Sequence, residues 1–143
     1  MSSSTYVPDP ARKPLPTVSE YGKPFWEGCR QHEVRVQHCD ECGTQQFPPR
    51  ALCAGCGSRK VRWKRIAGTG RVYSFTVIHR PPEPSFLPEV PYVVAVVAFD
   101  GGGRTMSNVI GCAPAEVRCE MRVEPHFEDV TDTVTLLKFR PAQ

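Results

Sequence analysis

The spacing of hydrophobic positions changes character along this chain. Tyr21, Phe25, Trp26 and Cys29 fall near helical spacing behind Ser19, a residue type that caps helices. Pro24 suits a first helical turn, so a short helix is expected over residues 19–33, with a Phe25–Trp26 edge that must dock on something. Three short patches follow, Val34 to Gln37, Gln46 to Phe47 and Val61 to Ile66, each short enough to be a strand. Gly68-Thr69-Gly70 then marks a boundary, beyond which the period becomes two. Arg71 to Arg80 sets Tyr73, Phe75, Val77 and His79 on one face against Val72, Ser74, Thr76 and Ile78 on the other, which predicts a strand. A proline-stiffened loop leads to a second strand at Tyr92 to Phe99. Asp100-Gly101-Gly102-Gly103 is the hairpin turn into a third strand, Arg104 to Ile110. Gly111 to Glu116 reads as a turn into one helical turn. Met121, Val123, Pro125 and Phe127 alternate along a fourth strand, and Val134 to Phe139 makes a fifth.

Three strands, a short helical insert and two strands is the order of an OB-fold, a small closed five-stranded barrel. Composition agrees with a mainly β chain: fifteen prolines and eleven glycines in 143 residues favour short strands and turns over long helices. No stretch approaches the roughly 20 apolar residues of a membrane span. Met1-Ser2-Ser3-Ser4-Thr5 has no basic-then-apolar leader pattern, and the thiols of Cys29, Cys112 and Cys119 fit a reducing compartment, so a cytoplasmic location is expected. Each of these three scattered cysteines is read as a small buried hydrophobe.

The most specific chemistry lies between the helix and the barrel. Cys39-Asp40-Glu41-Cys42-Gly43 and Cys53-Ala54-Gly55-Cys56-Gly57 are two knuckles of the same form, with ten residues between Cys42 and Cys53. This is the spacing of a four-thiolate zinc site, and the glycine after each pair permits the left-handed backbone a tight turn needs. Two disulfides are the alternative; cysteines three apart pair awkwardly, and nothing else in the chain looks secreted. A closed tetrathiolate site has no open coordination position, so its zinc would be structural. It would also bring the formal charge from +3 to about +1, leaving the protein nearly neutral. Strand, knuckle, strand, knuckle, strand is a zinc ribbon. The expected division is an extended tail over 1–17, an N-terminal helix with a rubredoxin-like zinc ribbon over 18–66, and an OB-fold over 67–143.

A zinc ribbon feeding directly into an OB barrel resembles a known family, the rubredoxin-like zinc-ribbon/OB-fold proteins of the domain of unknown function thirty-five. The matching stretches are PFWEGCRQHEV at 24–34, CDECGTQQFPPRALCAGCG at 39–57, GTGRVYSFTVIHRPP at 68–82, PYVVAVVAFD at 91–100, SNVIGCAPAEVRCEMRVEPHFEDV at 107–130 and TLLKFRPA at 135–142. The resemblance implies an accessory subunit that docks on a thiolase-like partner, as a heterotetramer built on a partner dimer. It implies acyl-CoA as a shared ligand and a reaction that breaks or makes a carbon–carbon bond, by thiolysis, retro-aldol cleavage or acyl transfer, in lipid, steroid or aromatic degradation. Catalytic groups would then lie on the partner, and this chain would be a required subunit without catalytic residues of its own.

Candidate residues follow from that implication. Phe25, Trp26 and Trp63 are aromatic anchors for a partner. Lys64, Arg65, His79 and Arg80 are candidates for the CoA phosphates, which cluster several negative charges that Arg forks recognise; a solvated surface charge is the alternative for each cation, and a packed strand-end histidine for His79. His38, beside Cys39, is read as part of the ribbon. His126 alternates with charged residues and is read as solvated. Glu128, Asp129 and Asp132 are read as a rim turn.

The rival function is a nucleic-acid-binding module. Residues 57–71 carry Arg59, Lys60, Arg62, Lys64, Arg65 and Arg71 with no acid, and Tyr73 and Phe75 could stack bases. The near-neutral total charge, and the cations needed to offset a negative metal–thiolate cluster, weigh against nucleic acid.

Overall fold

A computed structural model describes residues 13–143. The first twelve residues of the tail expected over 1–17 lie outside that range. One helix, α1 (Lys23–Arg30), precedes three strands, β1 (Val34–Cys39), β2 (Gln45–Gln46) and β3 (Val61–Ile66). Five more follow, β4 (Gly70–Ile78), β5 (Tyr92–Phe99), β6 (Arg104–Val109), β7 (Arg122–Asp129) and β8 (Thr135–Pro141). Short 3-10 turns at Pro84–Glu89 and Pro114–Glu116 interrupt the second group.

The helix is shorter than its periodicity predicts. Ser19 makes a turn before it, accepting the Gly22 N–H on Oγ at 3.1 Å, and Gly22 takes the N-cap position. At the other end His32 adopts a left-handed φ of 56°. The His32 N–H reaches the Cys29 carbonyl at 2.9 Å, and the Glu33 N–H reaches that of Gly28 at 2.8 Å. These are the two bonds of a Schellman cap, which stops the helix at Arg30.

Strands β1–β3 form one antiparallel sheet in the order β2-β1-β3, and β4–β8 close a barrel in the order β4-β5-β6-β8-β7. That order, with β6 and β8 parallel at Val109↔Phe139 and the others antiparallel, is the OB-fold expected. The single face expected for Tyr73, Phe75 and Val77 is broken. A β-bulge between Val72 and Ser74 shifts the alternation by one residue. Val72 is fully buried, Tyr73 points out, and Phe75 and Val77 return to the core side. Tyr73 therefore stands apart from Phe75, with the Arg104 guanidinium 3.8 Å from its ring centroid.

The core is continuous between ribbon and barrel. Phe25 and Cys29 of α1 and Val34 and Val36 of β1 join Val72, Val93, Val97, Phe99, Val109, Val123, Leu137 and Phe139 in one cluster. Val93, Ala95, Val97 and Phe99 face inward at every second position of β5. The outward set, Tyr92, Val94, Val96 and Ala98, is also apolar, which is why the whole run looks hydrophobic in the sequence. Among the described residues, no helix is long and apolar enough to cross a membrane.

Candidate metal centre and adjoining groove

Cys39 ends β1, Cys42 lies in the turn before β2, and Cys53 and Cys56 sit in the irregular segment between β2 and β3. The two knuckles repeat one hydrogen-bond pattern. In the first, the Cys39 N–H donates to the Thr44 carbonyl (2.9 Å) and the Gly43 N–H to that of Cys39 (3.0 Å). In the second, the Cys53 N–H donates to Ser58 (2.9 Å) and the Gly57 N–H to Cys53 (2.9 Å). Gly43 and Gly57 both adopt φ of +77°, the left-handed turn that aims two sulfurs at one point.

All four Sγ atoms lie within 4.8 Å of one another. Cys39 and Cys56 sulfurs are 3.7 Å apart, and those of Cys42 and Cys53 are 3.5 Å apart. A tetrahedral zinc with bonds of about 2.3 Å sets its sulfurs about 3.8 Å apart, whereas a disulfide needs about 2.0 Å. The close pairs also run between knuckles, not within them. The donor set therefore fits a tetrathiolate metal centre and not two disulfides.

Electrostatics agree with this fit. Hydrogen bonding from Thr44, first through its hydroxyl 3.0 Å from Sγ, pulls the Cys42 thiol down to about 6. Cys53 is also lowered, first by a backbone bond from Cys56. At Cys56 a backbone bond from Ser58 acts downward, yet the neighbouring sulfurs, Cys42 foremost, and desolvation hold the thiol up at about 12. Four sulfurs this close share protons unless a cation supplies compensating charge.

The remaining cysteines differ among themselves. Cys29 is a buried hydrophobe whose thiol is pushed up to about 12 by desolvation. Cys112 is half-buried and Cys119, expected to be buried, is exposed, because both lie in the irregular segment between β6 and β7 and not in a core strand.

A groove opens beside the ribbon, between α1, the segment after β2, and the β6 and β8 strands, with a volume of about 400 Å³. Phe25, Trp26, Phe47, Met106, Leu136 and Leu137 give it apolar walls, and Ser19, Thr105, Asn108 and Lys138 stand among them. Met106 is the most exposed large apolar side chain of the described residues, at 72 %.

The aromatic trio divides. Phe25 is 7 % exposed and packs on Trp26 (5.2 Å) and Phe47 (4.9 Å), so its ring belongs to the chain's own core. Trp26 and Trp63 are half-buried against that core and reach the surface. The cation candidates divide as well. Lys64 and Arg65 sit on β3 near the ribbon–barrel junction, while His79 and Arg80 follow the far end of β4. The two pairs thus stand on different elements, and Arg65 faces Glu33. His79 and Arg80 are exposed, which removes the packed strand-end position considered for His79.

His38 lies in β1 with a buried, unpartnered Nδ1. His126 is half-buried on β7 opposite Lys138. His32 escaped attention in the sequence because no spacing marks it. Its ring stacks on Phe127 (5.0 Å, 8°), and its Nε2 lies 3.0 Å from Asp129 Oδ1. That bond leads the causes that lower the Asp129 carboxyl, followed by one from Thr135. The clasp ties the end of α1 to β7 and explains why Asp129 is more than a rim acid.

Four of the six cations in 57–71 face carboxylates: Lys60–Glu41, Arg62–Asp40, Arg65–Glu33 and Arg71–Glu120. Exposed pairs contribute little stability, but they neutralise the basic stripe a nucleic-acid backbone would need.

Known proteins resemble the chain along most of its length. The model described as "ChsH2, rubredoxin-like zinc ribbon domain" matches residues 26–62, and "ChsH2, C-terminal OB-fold domain" matches residues 63–128. A probable enoyl-CoA hydratase alpha subunit of Thermomonospora curvata is 37% identical over 132 residues, 92% of this chain. The chain spans only 41% of that relative's length. A DUF35 domain-containing scaffold protein of Methanocaldococcus jannaschii is 35% identical over 113 residues, 73% of this chain and 79% of that one. Among solved structures, a chain of an "Ltp2-ChsH2(DUF35) aldolase" superposes with a TM-score of 0.80 at 36% identity, covering 90% of this chain and 100% of that one.

Proposed function

The chain belongs to the DUF35 family of ChsH2-type zinc-ribbon and OB-fold proteins, and from that premise we propose that it is an accessory subunit of a thiolase-like acyl-CoA enzyme. Its task is to bind the partner and to help orient the acyl-CoA while the partner's groups make or break a carbon–carbon bond. The observation that carries this reading is the match, over 90% of this chain, to a chain of the Ltp2-ChsH2(DUF35) aldolase.

The chain's own chemistry supports a non-catalytic role. Four cysteines holding one zinc leave no position for water or substrate; the ion cross-links the ribbon and neutralises its thiolates. The barrel interior is filled by Val72, Val97, Val123 and Phe139. The one His–carboxylate pair among the described residues, His32–Asp129, clasps the end of α1 to the barrel on an exposed face. What the molecule offers a partner is surface: Trp26 and Met106 at the mouth of the groove, and Trp63 on β3. Either cation pair, Lys64 with Arg65 or His79 with Arg80, could meet a CoA diphosphate.

Native mass spectrometry of the tagged chain purified from its source tests the assembly. The expected result is a thiolase-fold companion, two copies of each, with acyl-CoA turnover that needs both. Turnover of an acyl-CoA by the isolated chain at the rate of the assembly would overturn the proposal. Trp26→Ala should weaken assembly about tenfold or more while zinc stays stoichiometric, as read by pull-down and metal analysis.

A further inference from the structure

The two knuckles are alike in their turns but not in what holds them. The first is continuous with β1 and β2, so the strand ladder fixes it. The second rises from residues 47–53, which have no regular structure. Two glutamines lie beneath it. Gln37 of β1 and Gln46 of β2 face each other in register and are 5 % and 7 % exposed.

Their amides are engaged at every polar atom. The Gln46 Nε2 donates to Gln37 Oε1 at 2.8 Å. Gln37 grips the Arg50 peptide from both sides, accepting its N–H at 2.8 Å and donating to its carbonyl at 2.9 Å. Gln46 donates to the Leu52 carbonyl at 3.2 Å and accepts the Ala54 N–H at 2.8 Å. Leu52 and Ala54 are the two neighbours of Cys53. The side chains thus do for this loop what a further strand would do, and they set Cys53 from both sides. The other face of the same short strand is moored to the barrel. Gln45 Nε2 donates to the carbonyls of Asp100 (3.0 Å) and Gly102 (2.9 Å), and the Arg104 N–H donates to Phe47 (3.2 Å). A Cβ on Gly102 would stand 2.6 Å from the Gln45 carbonyl oxygen, so only glycine lets this strand approach.

We infer that Gln37 and Gln46 are positioning residues of the metal centre, holding the second knuckle in its ligating arrangement so that the ion is retained. The inference rests on the zinc reading of the four cysteines. A buried amide left without its partner costs far more than an exposed one, so an apolar replacement of the same volume frees the loop instead of repacking it. Gln46 holds both neighbours of Cys53 and Gln37 acts three residues away, so the two should differ in effect.

The test is zinc release from the purified full chain to a chromophoric chelator, with thermal midpoints measured alongside. Gln46→Met should release zinc about tenfold or more faster than wild type, and Gln37→Met by a smaller factor. Phe86→Ala, which removes a half-buried ring packed on Tyr92 outside the core shared with the ribbon, should leave the release rate near wild type although its midpoint falls. Cobalt-loaded Gln46→Met should show broadened or shifted tetrahedral bands. If Gln46→Met does not fold, Gln37→Met still decides, since it keeps both Gln46 bonds around Cys53. Release that follows the thermal midpoint across all variants, or variants no faster than a zinc-loaded wild type, overturns the inference alone. A wild type without stoichiometric zinc overturns the zinc reading and the inference with it.

Discussion

Asp100, the first residue after β5, gathers three parts of the chain. Its carboxylate accepts both Arg122 guanidinium nitrogens of β7 at 2.7 and 2.6 Å and the Thr69 hydroxyl at 3.0 Å, and its carbonyl accepts from Gln45. The Arg122 bonds hold its carboxyl down at about 2. A folded-state value below the unfolded one means that the stabilisation is complete above about pH 4 and drains as pH falls toward 2. Both partners are about half exposed, so Asp100→Asn should cost only a few tenths of a kcal/mol at pH 7. The difference in urea midpoint between wild type and variant should hold steady down to about pH 4 and shrink below it; acid loss of metal is common to both proteins and cancels. Nothing in Asp100-Gly101-Gly102-Gly103 beyond a hairpin turn was legible, because Arg122, Thr69 and Gln45 are distant in sequence. Phe25 teaches the same lesson: helical spacing identified an aromatic edge, but only packing decided that Phe25 faces inward and Trp26 outward.

The barrel closes through its thinnest seam. β6 and β8 share a single parallel register pair, Val109↔Phe139, and β4 and β7 only two, against long ladders between the other neighbours. Two further bonds brace it, the Ile110 N–H to the Phe139 carbonyl at 2.8 Å and the Ser107 hydroxyl to the Leu137 carbonyl at 2.6 Å. Ser107→Ala should cost about 1 kcal/mol, read from chemical denaturation, and raise amide exchange first at Ile110. The strand order itself was readable, since alternation and turn residues recur at the right intervals. The bulge at Val72–Ser74 was not: one inserted residue reverses the faces without changing composition, and propensity is blind to register. The helix likewise ended early at a left-handed His32, whose cap depends on bonds back to Gly28 and Cys29 and on docking to β7.

Metal, ribbon and barrel behave as one unit because they share one core. Val34 and Val36 run beside the ligand Cys39 and pack among barrel residues. Zinc removal by chelator, or Cys53→Ser, should therefore be felt beyond the ribbon. A zinc site contributes on the order of 10 kcal/mol of apparent binding energy, so the thermal midpoint should fall by at least about 10 °C, with the Trp63 emission shifting as β3 loosens. A soluble, zinc-free Cys53→Ser protein with an unchanged midpoint would contradict the structural role. The four ligands, the left-handed glycines and the barrel order are local signals, written in spacing and period, and so the sequence by itself determined them. Which cations pair with acids, which tryptophan meets solvent, how Gln37 and Gln46 brace Cys53, and where the groove opens were decided only by the tertiary structure. The ion pairs and the groove join residues far apart along the chain, whereas Gln37 and Gln46 lie near Cys53 in sequence but carry no spacing or period that marks their bonds.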